Sequence, residues 1–205
     1  MSSVGRPRIH DEQTRVELLA AAERLIAEHG LDALSVRAAA EAAGTSTRAV
    51  YALFASKEGL VQALAQRTYE LLMEALAALP LTDDAGEDLI AGSVYGFRRF
   101  ALDHPELFHL FFTVQARRPR LGEEANAARM QAFDKLVERV ERAKAAGLVG
   151  EHSVQQVVML WDVMCVGLAA REFCWMIPSD RGEQVWTDAM RSLLAGLATT
   201  QPVAS

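Results

Sequence analysis

Proline is scarce in this 205-residue chain, with only six, and runs of β-branched residues are rare. Both shortages favour helix over strand. No stretch alternates apolar and polar residues as a half-buried strand would, and nothing repeats at a fixed period. Apolar runs fall short of the roughly 20 residues a membrane span needs, and the first residues carry no signal-peptide core. The expected setting is therefore the cytoplasm, with no membrane partner. Only two cysteines are present, Cys165 and Cys174. Nine positions apart on one helix, they would stand roughly 13 Å from each other, too far for a disulfide. Reduced thiols packed as small apolar groups are expected.

Catalytic signatures are missing too. The five histidines, His10, His29, His104, His109 and His152, are scattered. His104 and His109 are five apart, which does not set both on one metal-binding helix face as a spacing of four would. There is no Gly-rich phosphate loop. Gly92-Ser93-Val94-Tyr95-Gly96 has its serine one position too early for a nucleophile elbow. Neither catalysis, nor a metal, nor a cofactor is expected.

The net charge of −6 at first argues against nucleic acid, but the charge is unevenly spread. Residues 1–57 hold seven Lys/Arg and seven Asp/Glu, so the whole acidic excess belongs to 58–205. A neutral N-terminal segment binds phosphate if its basic residues gather on one face.

What the chain has is apolar material at helical spacing: 51% of residues are hydrophobic, Ala and Leu foremost. Residues 1–10 read as a flexible polar arm. Asp11 is expected to cap a helix running to about residue 29, with Val16, Leu19, Ala22, Leu25 and Ile26 on its apolar stripe and Gly30 at its end. Ser35 caps a short helix broken at Gly44, and Ser46 caps another to about residue 53. Ser56 caps a long one stopped by Pro80. Further helices are expected over about 87–103, from Pro105 to about 114, and over about 123–146, 153–176 and 180–198. The sum is an all-α chain of about nine helices.

The informative stretch runs from Ser35 to Leu60. Ala39, Ala40 and Ala43 are small enough for two helices to cross closely, and Gly44 supplies the backbone of the turn. Val50, Leu53 and Phe54 point inward. Thr47, Arg48 and Tyr51 then point outward from the start of a rigid helix, the arrangement a DNA major groove accepts.

This segment resembles the helix-turn-helix of the tetracycline-repressor (TetR) family over about residues 11–62. Ala40, Gly44, Val50 and Leu53 meet the motif's spacing, and the hallmark Tyr-x-x-Phe-x-x-Lys-x-x-Leu stands as Tyr51, Phe54, Lys57 and Leu60. The resemblance implies DNA-facing roles for Ser35, Arg37, Thr45, Ser46, Thr47, Arg48, Tyr51 and Lys57. Thr47 and Arg48 would read bases, and Tyr51 and Lys57 would hold phosphates. Ala52 and Leu53 stand where relatives often carry a polar side chain, so fewer contacts are expected at that end. The arm around Arg6 and Arg8 resembles extensions that enter the minor groove. The implied division is 1–10 as arm, 11–57 as DNA-binding domain and 58–205 as ligand-binding and dimerisation domain.

Residues 96–112 and 160–172 resemble a Trp-His-Gly subgroup of the family's C-terminal domains. Trp161 and Gly167 are present, but the histidine is not. Phe97, Phe100, Phe108, Phe112, Trp161, Met164, Cys165 and Leu168 are candidates to line a pocket for a small, largely apolar effector, with an ordinary packed core as the plainer reading. Trp186, Met190, Leu193, Leu194 and Leu197 are candidates for a homodimer interface. The expected function is a transcription repressor that grips a palindromic double-stranded DNA operator as a dimer and is released by a small molecule. A ligand-independent DNA-binding dimer and a helical small-molecule carrier are the alternatives.

Overall fold

The computed structural model describes residues 8–113, 120–174, 176–178 and 180–199, with only the backbone described at 8–10 and 113. Among these residues every regular element is helical. In order they are α1 (Arg8–His29), a 3-10 turn (Leu31–Ala33), α2 (Val36–Ala42), α3 (Thr47–Phe54) and α4 (Lys57–Ala77). Then come α5 (Ala85–Ala91), a π-helical turn (Gly92–Phe97), α6 (Arg98–Asp103), α7 (Pro105–Phe108) and a second π-helical turn (His109–Thr113). The chain closes with α8 (Glu123–Ala145), α9 (Val154–Phe173) and α10 (Gly182–Thr199).

Two boundaries differ from expectation. Helix α1 starts at Arg8, so residues 8–10 belong to the helix rather than the arm, and Asp11 lies in its first turn instead of capping it. There an acidic side chain still favours the helix N-terminus. The stretch expected as one α-helix over 87–103 begins at Ala85, where the Asp84 carboxylate accepts from Gly86 N and Glu87 N, and carries the π turn inside it. The caps expected at Ser35, Ser46 and Ser56 are present, and Ser153 adds one that was not expected. Ser35, Ser46 and Ser153 accept from Ala38 N, Ala49 N and Gln156 N, and Ser153 with Gln156 closes a capping box.

The described residues fall into two compact units. Those of Met1–Thr68 and Pro105–Ala125 form one, and those of Tyr69–His104 and Asn126–Ser205 the other. Their division therefore does not follow the expected boundary at 57/58: the first turns of α4, with α7, go with the first unit. Leu18, Leu34, Val50, Leu60, Leu107 and Phe108 are fully buried in the first unit. Val16, expected inward, is exposed, and Leu18 takes the inner position.

In the second unit Trp161, Trp186, Leu89, Val140 and Met190 form the core. Each core indole has a hydrogen-bond acceptor. Trp161 Nε1 donates to Ser93 Oγ at 2.7 Å, and Trp186 Nε1 to Glu172 Oε2 at 2.9 Å. Glu172, itself buried, also accepts from Arg98 Nε at 3.0 Å and Nη2 at 2.8 Å. Asp88 accepts from Thr82 N and Arg142. Burial pushes the Asp88 carboxyl up, but these donors outweigh it and hold the group below its ordinary value.

By length and composition alone α9 would cross a membrane, contrary to the expected absence of any such run. Its buried positions Val157, Val158, Trp161, Cys165, Ala169 and Glu172 recur at threes and fours, which is how a helix packs by one face.

Candidate nucleic-acid interface

The α2–α3 pair is built as its sequence requires. Ala39 and Ala40 are buried where the helices cross. Thr45 N donates to the Ala40 carbonyl at 2.9 Å, with Gly44 at φ 63 closing the end of α2. On α3 the apolar side seats firmly: Val50 is fully buried, and Phe54 is buried beneath the Arg15 guanidinium, 5.4 Å from its ring centre. Leu53, expected inward, is half-buried.

The opposite side of α3 is open. Thr47, Arg48 and Tyr51 are exposed, Tyr51 by 56%. Positions i, i+1 and i+4 lie along one helix face, so the three form a single polar strip at the helix N-terminus. Arg37 on α2 is exposed, while Thr45 and Lys57 are half-buried. Ser35 and Ser46 are exposed, but each hydroxyl oxygen already caps a helix. Its proton stays available to a phosphate acceptor. Arg6 lies outside the described residues, as does the side chain of Arg8.

The joint between α3 and α4 was not foreseen. Ala55 has φ 61 and ψ −33, and Ser56 N donates to the Phe54 carbonyl two residues back at 2.7 Å. This is a γ-turn with positive φ, the rare and strained kind. Four residues on, a Cβ on Gly59 would overlap the Phe54 carbonyl oxygen, so the Ser56-capped start of α4 closes against the end of α3 only with glycine there. Since Ala55 is exposed, Ala55→Gly loses no packing and relieves the strain. It is expected to stabilise the protein by about 1 kcal/mol net of glycine's extra chain entropy. Urea unfolding midpoints check this, and a lower midpoint for the variant contradicts the strain.

The eight candidate pocket residues do not form one set. Phe108 and Phe112 stack in the first unit, with ring centres 5.3 Å apart and planes 8° apart. Phe97, Trp161 and Cys165 share a cavity of about 40 Å³ in the second unit with Leu76, Leu89, Gly92, Ser93, Leu136, Arg139 and Asp162. Phe100 packs edge-on against Phe97, and Met164 and Leu168 are half-buried outside the cavity wall. Burial pushes the Cys165 thiol up to about 12, against a lowering contact with Ser93, so it stays neutral. Cys174, expected to pack inside, is exposed.

Sequence reasoning missed Arg139. Its signal was available: 136, 139, 140 and 143 share a helix face, and Val140 and Ala143 on it are fully buried. The five dimer candidates on α10 differ in burial. Trp186, Met190 and Leu197 are buried within their own unit, while Leu193 and Leu194 are half-buried. The inner face of α10 is satisfied inside the chain. Three of the exposed large apolar side chains stand together on α9, where Met159, Leu160 and Val163 are 61%, 43% and 64% exposed.

Two short helices joined by a tight turn, the second seated by one face and open by the other, define a helix-turn-helix DNA-binding protein. Residues 18–64 match the family described as Bacterial regulatory proteins, tetR family, and residues 90–200 match the Tetracyclin repressor-like, C-terminal domain. The chain belongs to the TetR family of transcription regulators. These are DNA-binding proteins rather than enzymes, and they bind ligands and dimerise.

Solved structures of similar fold include a protein of unknown function from Rhodococcus sp. RHA1. It is 26% identical, with 91% of this chain and 96% of that one covered at a TM-score of 0.75. A tetR-family bacterial regulatory protein from Rhodococcus RHA1 is 17% identical, with 92% and 99% covered at 0.71. RolR in complex with resorcinol is 20% identical, with 97% and 99% covered at 0.62. A comparison with curated proteins finds no match.

Proposed function

We propose that this chain is a cytoplasmic repressor that binds a palindromic operator as a homodimer and releases it when a small, largely apolar molecule enters the second unit. The observation that carries the reading is the open strip of Thr47, Arg48 and Tyr51 on a helix whose other side is buried. Side chains on a fixed helix reach base edges at defined positions, which a loose segment does not allow. Dimerisation uses the outer face of α9, because Met159, Leu160 and Val163 are three large uncovered apolar side chains within five residues of one helix.

Support for a small effector comes from the largely apolar cavity of the second unit, and from RolR, a protein of this fold solved with resorcinol. The effector would act through α4, whose residues as far as Thr68 belong to the first unit and from Tyr69 to the second. A shift of α4 alters the spacing of the two recognition helices, and a misfit weakens both half-sites together. Such coupling is typically about 1–3 kcal/mol.

The test is selection of bound duplexes from random DNA by the purified full-length protein. The expected yield is a two-fold-symmetric motif whose half-site centres lie about 34–36 Å apart, or a multiple of that. If no duplex is enriched at low ionic strength, where phosphate contacts are strongest, the proposal fails.

A further inference from the structure

Arg139 is 3% exposed, yet it has no ion-pair partner among the described residues. Its three hydrogen bonds all go to backbone carbonyls. Nη1 donates to Lys135 O at 3.2 Å, and Nη2 to Leu76 O and Leu79 O at 2.9 and 3.4 Å, around the end of α4. Nε is buried and donates to nothing. A buried permanent charge is costly without a counter-charge, and a buried donor left unused adds to that cost.

The residue belongs to the wall of the cavity in the second unit. Arg139 lines the space together with Gly92, and a Cβ placed on Gly92 would stand 3.1 Å from both Cδ and Nε of Arg139. The missing side chain at 92 therefore gives the Cδ–Nε edge of Arg139 its room. Gly92 opens the π-helical turn, a rare irregularity frequent at functional sites. The other polar groups of the wall are engaged: Ser93 accepts from Trp161 and donates to Leu89 O, and Asp162 has partners of its own. The rest of the wall is apolar, from Leu76, Leu89, Phe97, Leu136 and Trp161.

We propose that this cavity anchors the carboxylate of a small apolar acid, with one carboxylate oxygen accepting from Arg139 Nε. The inference rests on the reading that the second unit takes up a small molecule, and it adds a charge and an anchoring atom to it. One positive charge without an ion-pair partner, offset only at a distance by Glu138 and Asp88, and one unused N–H suit a monoanion. A phosphate or sulfate brings more oxygens than the wall has donors. At about 40 Å³ the space exceeds what a water needs but falls well below a typical ligand site of about 300–1,000 Å³. It takes the carboxyl group as it stands, and the apolar body enters by parting the π turn from α9.

Calorimetric titration of the full-length protein with benzoate, phenylacetate and octanoate, each beside its neutral primary amide, tests the anchor. At least one acid is expected to bind roughly tenfold or more tightly than its amide, the margin of a charge-assisted over a neutral hydrogen bond. Gly92→Ala suits the backbone there, with φ −55 and ψ −37, leaves the Arg139 donors to Leu76 O and Leu79 O in place, and is expected to erase the acid's margin. Arg139→Gln should do the same, and if it fails to fold Gly92→Ala decides alone. No preference for any acid on the native protein, or a preference that survives Gly92→Ala, overturns the proposal. Because operator release is not the readout, neutral molecules binding as well as acids sink the anchor and leave ligand control standing. An acid that binds without releasing DNA counts against ligand control instead.

Discussion

Replacing Arg48 by Ala should cost the protein its ability to tell its operator from unrelated DNA. An arginine fork on a base edge is worth about 1–3 kcal/mol of discrimination. A symmetric dimer loses it at both half-sites, so operator affinity should fall by about 2–6 kcal/mol, or roughly 30-fold to 10⁴-fold. Binding to a scrambled duplex should change far less, because Arg48 is exposed and its removal leaves the seating of α3 on Val50 and Phe54 intact. Lys57→Ala is the contrasting case. If it holds a phosphate, all duplexes weaken alike, and the slope of log affinity on log salt drops by about two per dimer. Fluorescence anisotropy on the selected operator and its scramble, at several salt concentrations, separates the two. An Arg48→Ala protein that keeps its preference for the operator removes this side chain from base reading.

The largest loss of stability is expected at Glu172. Its carboxylate, with a side chain only 4% exposed, serves Arg98 and Trp186 Nε1 together. Glu172→Ala strands an arginine whose side chain is 13% exposed and orphans an indole donor inside the core. Breaking a buried pair from one side costs about 3–5 kcal/mol. For a chain of this size that is a fall in melting temperature of roughly 6–20 °C. Glu172→Gln keeps an acceptor for Trp186 and should lose distinctly less. Arg98→Met added to Glu172→Ala should recover part of the loss, since no charge is then left unmatched. Scanning calorimetry on the three variants checks this order. A Glu172→Ala protein melting within 2 °C of the native one would show that the pair contributes nothing.

The DNA-reading half was the most legible part of the sequence, because its signals are local. The serine caps at 35 and 46, the small residues at 39 and 40 and the glycine at 44 each act within one turn of chain. The second unit was less so. The aromatic residues between 97 and 112 look like one cluster in sequence. The helix ends at His104, whose φ of −133 and ψ of 59 precede a proline that restricts it, and the rings fall into different units on either side of that break. The π turn left no signal because its period differs too little from the α-helix over six residues. Trp186, Met190 and Leu197 looked like surplus apolar surface only while their partners within the chain were unknown. The same ignorance of partners hid Arg139, whose importance lies in what surrounds it. Its charge and its place on an apolar face were visible, but the lack of an ion-pair partner among the described residues is a fact of three dimensions.

Only Ala55 and Ser56 separate the DNA-reading helix from the long helix that follows, and Ala55 is held in a conformation that few residues tolerate. A hinge made of such a turn has almost no play. The reading head is thus bolted to α4 rather than tethered to it, and wherever the first turns of α4 are steered, Thr47, Arg48 and Tyr51 swing by the same angle.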